Sequence, residues 1–462
     1  MLLKSIQSSN KRTYLSSVRR FFSTCRQCAV DGASKDGEMR IFLVAGEVSG
    51  DVIGSRLIAA LKKLSPYPIR VAGVGGSLMS KHGLKSLFPI EDIAIMGIWE
   101  LLPHLHKLQV RLKETIEAAI SFRPHVVVTI DSKGFSFRLL QKLKARYGDQ
   151  EATTPLHFHY VAPSFWAWNG GEGRLNGLSK FVDHILCILP FEEEICKSHG
   201  LDATFVGHPV LEDVLELNPV QAIEKEWKVH GNADLFRSTY GISSGSTILT
   251  LLPGSRLQEV TRMLPIYSKT VNLLNNSFKD LTTVIHVAPN KHVADYINSE
   301  VNEWSTPVVL IPGGSARTKY DAFSASTVGL CTSGTVAMEL QLARLPCVVA
   351  YRAHFITEWF IRYKAKIPYI SLPNILLDSP VIPEALFREC TPTRLAQSLM
   401  DLINNEVARE EQIVAADKVT QLLSPPSAFV ISRNLDCKDL RFDNTSSSIA
   451  ALTILYHRIG KL

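Results

Sequence analysis

The sequence predicts an α/β protein of two Rossmann-like domains facing across a cleft. Three observations carry that prediction. Short apolar runs alternate with helical patterns along most of the chain, which is the rhythm of parallel strands joined by crossover helices. A polar, poorly periodic stretch from Glu212 to Gly245 interrupts the alternation, which resumes at Ile248. In the second half, two strand-like runs end in turns of small residues at the start of a helix, at Pro253-Gly-Ser-Arg256 and at Thr332-Ser-Gly-Thr335. Such a turn aims backbone N–H groups and the positive end of a helix dipole at an anion. Two of them suggest a nucleotide held at the carboxyl ends of parallel strands.

Residues 1–37 read as a disordered targeting segment outside the fold. From Met1 to Val30 the chain carries Lys4, Lys11, Arg12, Arg19, Arg20 and Arg26 and no acid, with frequent serines and an apolar stripe of Leu15, Val18, Phe21 and Phe22. An acid-poor, Arg-rich amphipathic leader has the composition of a mitochondrial transit peptide. Arg20-Phe-Phe-Ser23 resembles a processing site, with cleavage expected after Phe22; the plastid is the rival address.

The run Met39-Arg-Ile-Phe-Leu-Val-Ala45 is a buried parallel strand by its unbroken apolar character. It ends in Gly46-Glu-Val-Ser-Gly-Asp51, before a helix through Leu57, Ala60, Leu61 and Leu64. Gly46 and Gly50 allow a tight turn and close approach of a ligand. The loop has neither the spacing of a dinucleotide fingerprint nor the Gly-Lys of a P-loop. Strands at 69–73, 125–130, 156–161, 184–189 and 203–206, with helices at 110–122 and 135–147, fill out a first domain over 38–211. Residues 212–245 read as the linker. Ile248–Leu252, a helix from Glu259 to Leu274, and Val328–Cys331 belong to a second domain over 246–423. Residues 424–462 form a Ser-, Pro- and Asp-rich tail, in which Ile449 to Ile459 carries a helical stripe able to dock back.

A chain of 462 residues with 46% apolar content has the material for sizeable cores. No apolar run approaches the ~20 residues that a membrane-spanning helix needs. The net charge of +6 lies partly in the leader, and with no nucleic-acid-binding pattern present, nucleic acid is not an expected partner. The eight cysteines are scattered through apolar runs and read as buried thiols of a reducing compartment. The close pair Cys25 and Cys28 lies in the leader without a partner pair at zinc spacing.

Eight blocks, in order, resemble the lipid-A-disaccharide synthase family. They are Ala45-Gly-Glu-Val-Ser-Gly-Asp51, Ile95-Met-Gly-Ile-Trp-Glu-Leu-Leu102, Ala162-Pro-Ser-Phe-Trp-Ala-Trp168, Leu189-Pro-Phe-Glu192, Phe205-Val-Gly-His-Pro209, Leu251-Leu-Pro-Gly-Ser-Arg256, Ser333-Gly-Thr335 with Glu339, and Tyr369-Ile-Ser-Leu-Pro-Asn-Ile-Leu376. The resemblance spans Arg40 to Leu402. It implies a GT-B fold and transfer of 2,3-diacylglucosamine from UDP-2,3-diacylglucosamine to 2,3-diacylglucosamine 1-phosphate, giving a β-1,6-linked disaccharide and UDP. It implies no metal and no cofactor. A peripheral membrane surface and a second copy of the chain, as a homodimer, are the further partners expected. A UDP-sugar epimerase of the same fold and a non-catalytic lipid or nucleotide binder are the competing readings.

An inverting transfer needs a base for the acceptor hydroxyl and stabilisation of the leaving diphosphate. Arg256 suits the diphosphate, because a guanidinium binds two phosphate oxygens at once. Gly254, Ser255, Ser333, Gly334 and Thr335 supply backbone and hydroxyl donors; Glu259 belongs to the same nucleotide region, Glu339 suits the ribose, and Asn374 the donor or its diphosphate. Gly46, Ser49, Gly50, Asp51, Met96, Gly97 and Glu100 are the acceptor candidates. Asp131, at the carboxyl end of a strand, reads equally as the base or as the N-cap of the next helix. Glu47 is the second candidate base and His208 the third, while Trp166 and Trp168 read as packing. Departures from the family fall at Asp131-Ser-Lys-Gly-Phe-Ser136, where bacterial members commonly have Asp-Ala-Pro-Asp-Phe-Asn, and at Phe387, where the family often has Gln. They bear on acceptor specificity. Met96 to Leu108, with Trp99, and Phe355 to Lys366, with Trp359, interleave aromatic and basic residues as interfacial segments do.

Overall fold

The computed structural model describes residues 28–94, 105–148, 154–218, 227–304, 306–332, 334–353, 355–426 and 444–456. It divides into two compact units. The first comprises the chain to Trp166, Gly170–Gly207 and Pro425 onward; the second comprises Ala167–Asn169 and His208–Ser424.

In the first unit helix α1 (Ala29–Asp36) precedes strand β1 (Met39–Ala45). Then follow α2 (Val48–Leu64), β2 (Ile69–Val74), α3 (Ser77–Lys81), α4 (Leu105–Phe122), β3 (Val126–Ile130), α5 (Lys133–Tyr147), β4 (Leu156–Tyr160), β5 (His184–Cys187), α6 (Glu192–Ser198) and β6 (Ala203–Phe205). The strands form one parallel sheet in the order β2-β1-β3-β4-β5-β6, with Ile41 opposite Val126 and Val126 opposite Leu156. β3 and β4 are buried along their whole length, which explains their mainly apolar or aromatic character.

Right-handed crossovers fix which face each helix covers. The chain winds one way from β1 to β2 and the other way from β2 through β3 to β6, so α2 covers one face while α4, α5 and α6 cover the other. Leu112, Leu139, Leu143 and Cys196 pack on that second face with Phe42 and Val127. The first face over β3 to β5 has no crossover helix of its own. The C-terminal helix of the chain fills it, with Ile449, Leu452 and Leu455 joining Phe158, Tyr160, Leu186 and Val206 in one core.

The second unit begins with α7 (Glu212–Leu217) and α8 (Ala233–Tyr240). Next come β7 (Thr247–Leu252), α9 (Leu257–Asn275), β8 (Leu281–Val287), α10 (Lys291–Val301), β9 (Val308–Pro312), α11 (Ala316–Ala325), β10 (Val328–Cys331) and α12 (Thr335–Leu342). β11 (Cys347–Tyr351), α13 (Phe355–Lys364), α14 (Leu372–Leu377), β12 (Glu384–Leu386), α15 (Pro392–Asn404) and α16 (Glu406–Leu423) complete it. The sheet order is β12-β11-β10-β7-β8-β9. The winding reverses between β7 and β10, as it does between β1 and β3 in the first unit. In open α/β sheets that switch point is where ligands bind, beyond the carboxyl ends of the strands.

The two-fold α/β organisation is the predicted one, and two details differ. The disordered leader expected through residue 37 does not extend so far: Ala29–Asp36 is helical, with Ala29 and Ala33 in the core and Gly37 closing the helix at φ 72°. Residues 1–27 lie outside the described residues. The expected linker carries α7 and α8, held to the second unit by Tyr320 Oη, which donates to Asp213 at 2.9 Å, and by Asn232 N–H, which donates to Asp321. The tail's helical stripe forms α17 (Ser446–Tyr456), buried in the first unit.

Candidate functional site

At the first switch point β1 leads through buried Gly46 to Glu47, which is extended (φ −152°, ψ 167°) and stands at the N-cap of α2 without a side-chain capping bond. A Cβ on Gly46 would lie 2.1 Å from the Cβ of Ser132, so the loop after β1 touches the turn after β3. Gly50 packs α2 onto its own strand, since a Cβ there would lie 3.3 Å from that of Ala45. Ser49 is half-buried in the first turn of α2.

Asp131 and Ser132 both take the left-handed backbone region, at φ 51° and 44°. Such strain in non-glycine residues persists only where the surroundings enforce it, and it clusters at functional sites. Here the Asp131 N–H donates to Tyr160 O at 3.0 Å, and Ser136 Oγ donates to Asp131 O at 2.7 Å. The Asp131 carboxylate accepts the Ser132 N–H on Oδ1 at 2.7 Å. Among the described residues its Oδ2 has no hydrogen bond. The N-cap reading of Asp131 gives way, because the cap position of α5 belongs to Ser132.

The structure reassigns one other residue of this unit. Asp51, expected at the acceptor, is buried and accepts N–H bonds from Gly76, Leu78 and Met79 at 2.8–3.0 Å. Its carboxylate caps α3, a use set by a loop 25 or more residues away. Trp166 stands edge-on to Phe191 with ring centres 4.8 Å apart, and its Nε1–H donates to Glu192 at 3.1 Å. Glu192 also accepts the Leu189 N–H, and burial pushes its carboxyl up to about 7. Met96, Gly97 and Glu100 lie outside the described residues.

In the second unit Thr332 N–H donates to Leu252 O at 3.1 Å, so the turns after β7 and β10 start side by side. Gly254 has φ 117°, and a Cβ on it would meet Glu259 Oε2 at 2.1 Å. The Glu259 side chain therefore folds back across the turn. Ser255 is exposed, and Arg256 is half-buried at the N-cap position of α9. At the other turn Gly334 (φ 122°) precedes exposed Thr335, the first residue of α12; Ser333 lies outside the described residues. Glu339, one turn into α12, forms a 2.9 Å ion pair with Lys319 in the first turn of α11. Lys319 is a residue that sequence reasoning missed, since only the folded chain brings the two helices together.

Two more expectations change. Asn374, in α14, is fully buried and its amide is committed to the segment that leads into β12. Nδ2 donates to Ile382 O and Glu384 Oε1, and Oδ1 accepts the Ile382 N–H, all at 2.8–2.9 Å. Glu384 further accepts N–H bonds from Ile370 and Ser371. Asn374 thus holds a loop and is not presented to a nucleotide. His208 is buried, accepts the Val210 N–H on Nδ1, and is held by burial down to about 4. It is a neutral cap of the turn at Pro209–Leu211 rather than a base. Trp168 lies 5.9 Å from Phe360, ring to ring, as packing. Phe387, the departure from the family pattern, is buried at φ 56° against Tyr351.

Each switch point thus presents glycine turns, helix starts and one or two charged side chains, a geometry suited to an anionic sugar nucleotide and a sugar hydroxyl. Residues 41–428 match the family described as lipid-A-disaccharide synthetase. The chain is 58% identical to the Arabidopsis thaliana protein called "Probable lipid-A-disaccharide synthase, mitochondrial", over 97% of this chain and 98% of that one. It is 44% identical to the lipid-A-disaccharide synthase of Rhodospirillum centenum, over 84% of this chain and 92% of that one. Among solved structures it resembles UDP-GlcNAc 2-epimerase from Neisseria meningitidis bound to UDP-GlcNAc, with a TM-score of 0.54 and 14% identity over 82% of this chain and 98% of that one. The Methanocaldococcus jannaschii UDP-GlcNAc 2-epimerase in complex with UDP-GlcNAc and UDP aligns with a TM-score of 0.52 and 12% identity over 83% of this chain and 99% of that one. At such identities the structural likeness speaks for the fold alone.

Proposed function

The chain belongs to the lipid-A-disaccharide synthase family, and we infer that it is an inverting hexosyltransferase of GT-B fold. It transfers 2,3-diacylglucosamine from UDP-2,3-diacylglucosamine to 2,3-diacylglucosamine 1-phosphate and releases UDP. An epimerase reading finds support only in distant fold likeness, whereas relatives at 44–58% identity carry the synthase name.

The chemistry divides between the units. The second unit holds the UDP. Arg256 offers a bidentate guanidinium to the diphosphate, the starts of α9 and α12 supply N–H donors with Ser255, Ser333, Gly334 and Thr335, and Glu339 meets the ribose hydroxyls. The first unit holds the acceptor beside Gly46, Ser49 and Gly50. There Asp131 takes the proton of the attacking 6-hydroxyl. The observation that supports this role is its carboxylate: strained into place at the switch point, it keeps Oδ2 without a hydrogen bond among the described residues. Glu47, on the adjoining loop, is the alternate base.

Incubation of the purified protein with both lipid substrates tests the function. Mass spectrometry should detect the disaccharide 1-phosphate with one UDP released per product. UDP release without a disaccharide would contradict it.

Both substrates are acylated, so the enzyme works at a bilayer surface. The exposed face of α13 supports this: Trp359 and Tyr363 are each 67% exposed and stack 5.9 Å apart beside Lys364, an aromatic and basic mixture suited to the interface. The corresponding role of Trp99 falls outside the described residues. Loss of binding to anionic vesicles in Trp359→Ser is the expected result, and unchanged binding would remove this role. The acid-free leader and the name of the Arabidopsis relative support mitochondrial import; a fluorescent fusion of residues 1–38 should enter mitochondria, and a cytosolic or plastid signal would contradict it.

A further inference from the structure

We propose that Lys133 and Arg174 form a seat for a phosphate monoester and that its occupant is the 1-phosphate of the acceptor sugar. The proposal rests on the reading of this chain as a synthase that uses a phosphorylated acceptor. Lys133 is the first residue of α5, two positions after Asp131. Its ammonium lies 5.3 Å from the centre of the Phe165 ring, and the Arg174 guanidinium carbon lies 5.8 Å from the same centre. Phe165 belongs to the segment after β4, and Arg174 to the 3-10 segment Glu172–Lys180 before β5. Three separate stretches therefore bring two cations onto one aromatic side chain beside the proposed base.

The Phe165 ring can draw a cation, but it gives no reason for a second cation to stand within reach of the first, since like charges repel. Partial burial disfavours the Lys133 charge most, Asp131 attracts it and Arg174 repels it. Among the described residues neither cation has a salt bridge or a side-chain hydrogen bond. Their donors are available to an incoming anion.

At this same turn Lys133 contributes a positive charge and Gly134 carries none. No second acid stands beside Asp131 in the turn, which favours an anion there. The acceptor carries such a group: a phosphate monoester has a charge of about −1.5 to −2 near neutral pH. Its C1 phosphate and C6 hydroxyl hang from the two carbons that flank the ring oxygen, C1 and C5, so the anion seat and the base must be neighbours without coinciding. A guanidinium fork and a lysine point charge together suit that ligand. The seat makes the 1-phosphate a determinant of acceptor choice.

The test is steady-state kinetics in neutral detergent micelles, with 2,3-diacylglucosamine 1-phosphate and with its dephosphorylated form as acceptors. Wild type should prefer the phosphorylated acceptor. Lys133→Gln and Arg174→Gln should each raise its KM by roughly tenfold or more and leave the KM of the dephosphorylated acceptor within about twofold. Gly134→Asp should act in the same direction; there is room for it, since the nearest atom to a Cβ there is Arg138 Nη1 at 3.8 Å. Lys133→Arg should keep the preference. Both cations are exposed, so melting temperatures should hold. An unchanged KM ratio in all three charge variants overturns the proposal. So does a defect seen only with anionic lipid micelles, which would assign the cations to a membrane surface. If wild type forms no disaccharide at all, the synthase reading fails instead.

Discussion

Gly46 and Ser132 touch so closely that a Cβ on the glycine would lie 2.1 Å from the Cβ of the serine. This contact joins the loop that carries Glu47 to the turn that carries Asp131, across the switch point of the first sheet. The obstacle is a Cβ whose backbone is already strained, at φ 44°, so neither side can yield easily. Gly46→Ala should push the turn out of place. Turnover should fall at least tenfold, with a stability loss of roughly 1–3 kcal/mol. With UDP held by the second unit, as proposed, UDP affinity should not change. Wild-type turnover in a folded Gly46→Ala protein would show that this contact positions nothing.

On the proposal that Arg256 holds the diphosphate, Arg256→Ala removes a charge-assisted contact worth roughly 1.5–3 kcal/mol. UDP affinity measured by calorimetry should drop at least about tenfold. Normal affinity in the folded variant would displace Arg256 from the site.

Burial gives Glu192 and His208 opposite effects on stability. Glu192 is pushed up to about 7 from an ordinary 4.5, so between those values the folded protein keeps a proton that the unfolded chain has released. That contribution to stability is lost as pH rises through the window. His208 is pushed down to about 4 from an ordinary 6.5, so the unfolded chain takes up a proton that the folded protein refuses, and stability falls as pH drops through that window. Thermal melts of wild type and Glu192→Gln between about pH 5 and 8 separate the two effects. The variant should gain on wild type as pH rises, by up to roughly 3 kcal/mol. A gap that does not change with pH would contradict this account of Glu192.

Helix α17 covers a sheet face that the winding of the first unit leaves without a crossover helix. Leu452 is 1% exposed among Phe158, Tyr160 and Leu186. Leu452→Ala should cost roughly 2–5 kcal/mol, read as a lower denaturation midpoint. A change under about 0.5 kcal/mol, the usual range for a surface substitution, would mean that the helix is not part of this core.

The strands were legible because both faces of each sheet are covered, which leaves an apolar signature that needs no partner to be read. The glycine turns were legible for a similar reason, since a positive φ such as that of Gly254 or Gly334 restricts the residue type locally. The fate of polar side chains was not. Asp51 and Asn374 have the right chemistry for a ligand, but residues 25–28 and 8–10 positions away use it up. The Lys319 and Glu339 pair needs two helices placed side by side, and no motif spacing records that. Helix α1 escaped notice because Ala29 and Ala33 are too small to form a stripe in a segment that reads as leader.

Turnover of Asp131→Asn tests the account most directly. The change keeps the shape of the side chain, and the Asn carbonyl oxygen can still accept the Ser132 N–H, while the charge that would take the acceptor proton is gone. Turnover should fall by roughly 10²–10⁴-fold, with UDP affinity and melting temperature nearly unchanged. Near-normal turnover in Asp131→Asn, with activity abolished in Glu47→Gln, would contradict the assignment and move the base to the neighbouring loop.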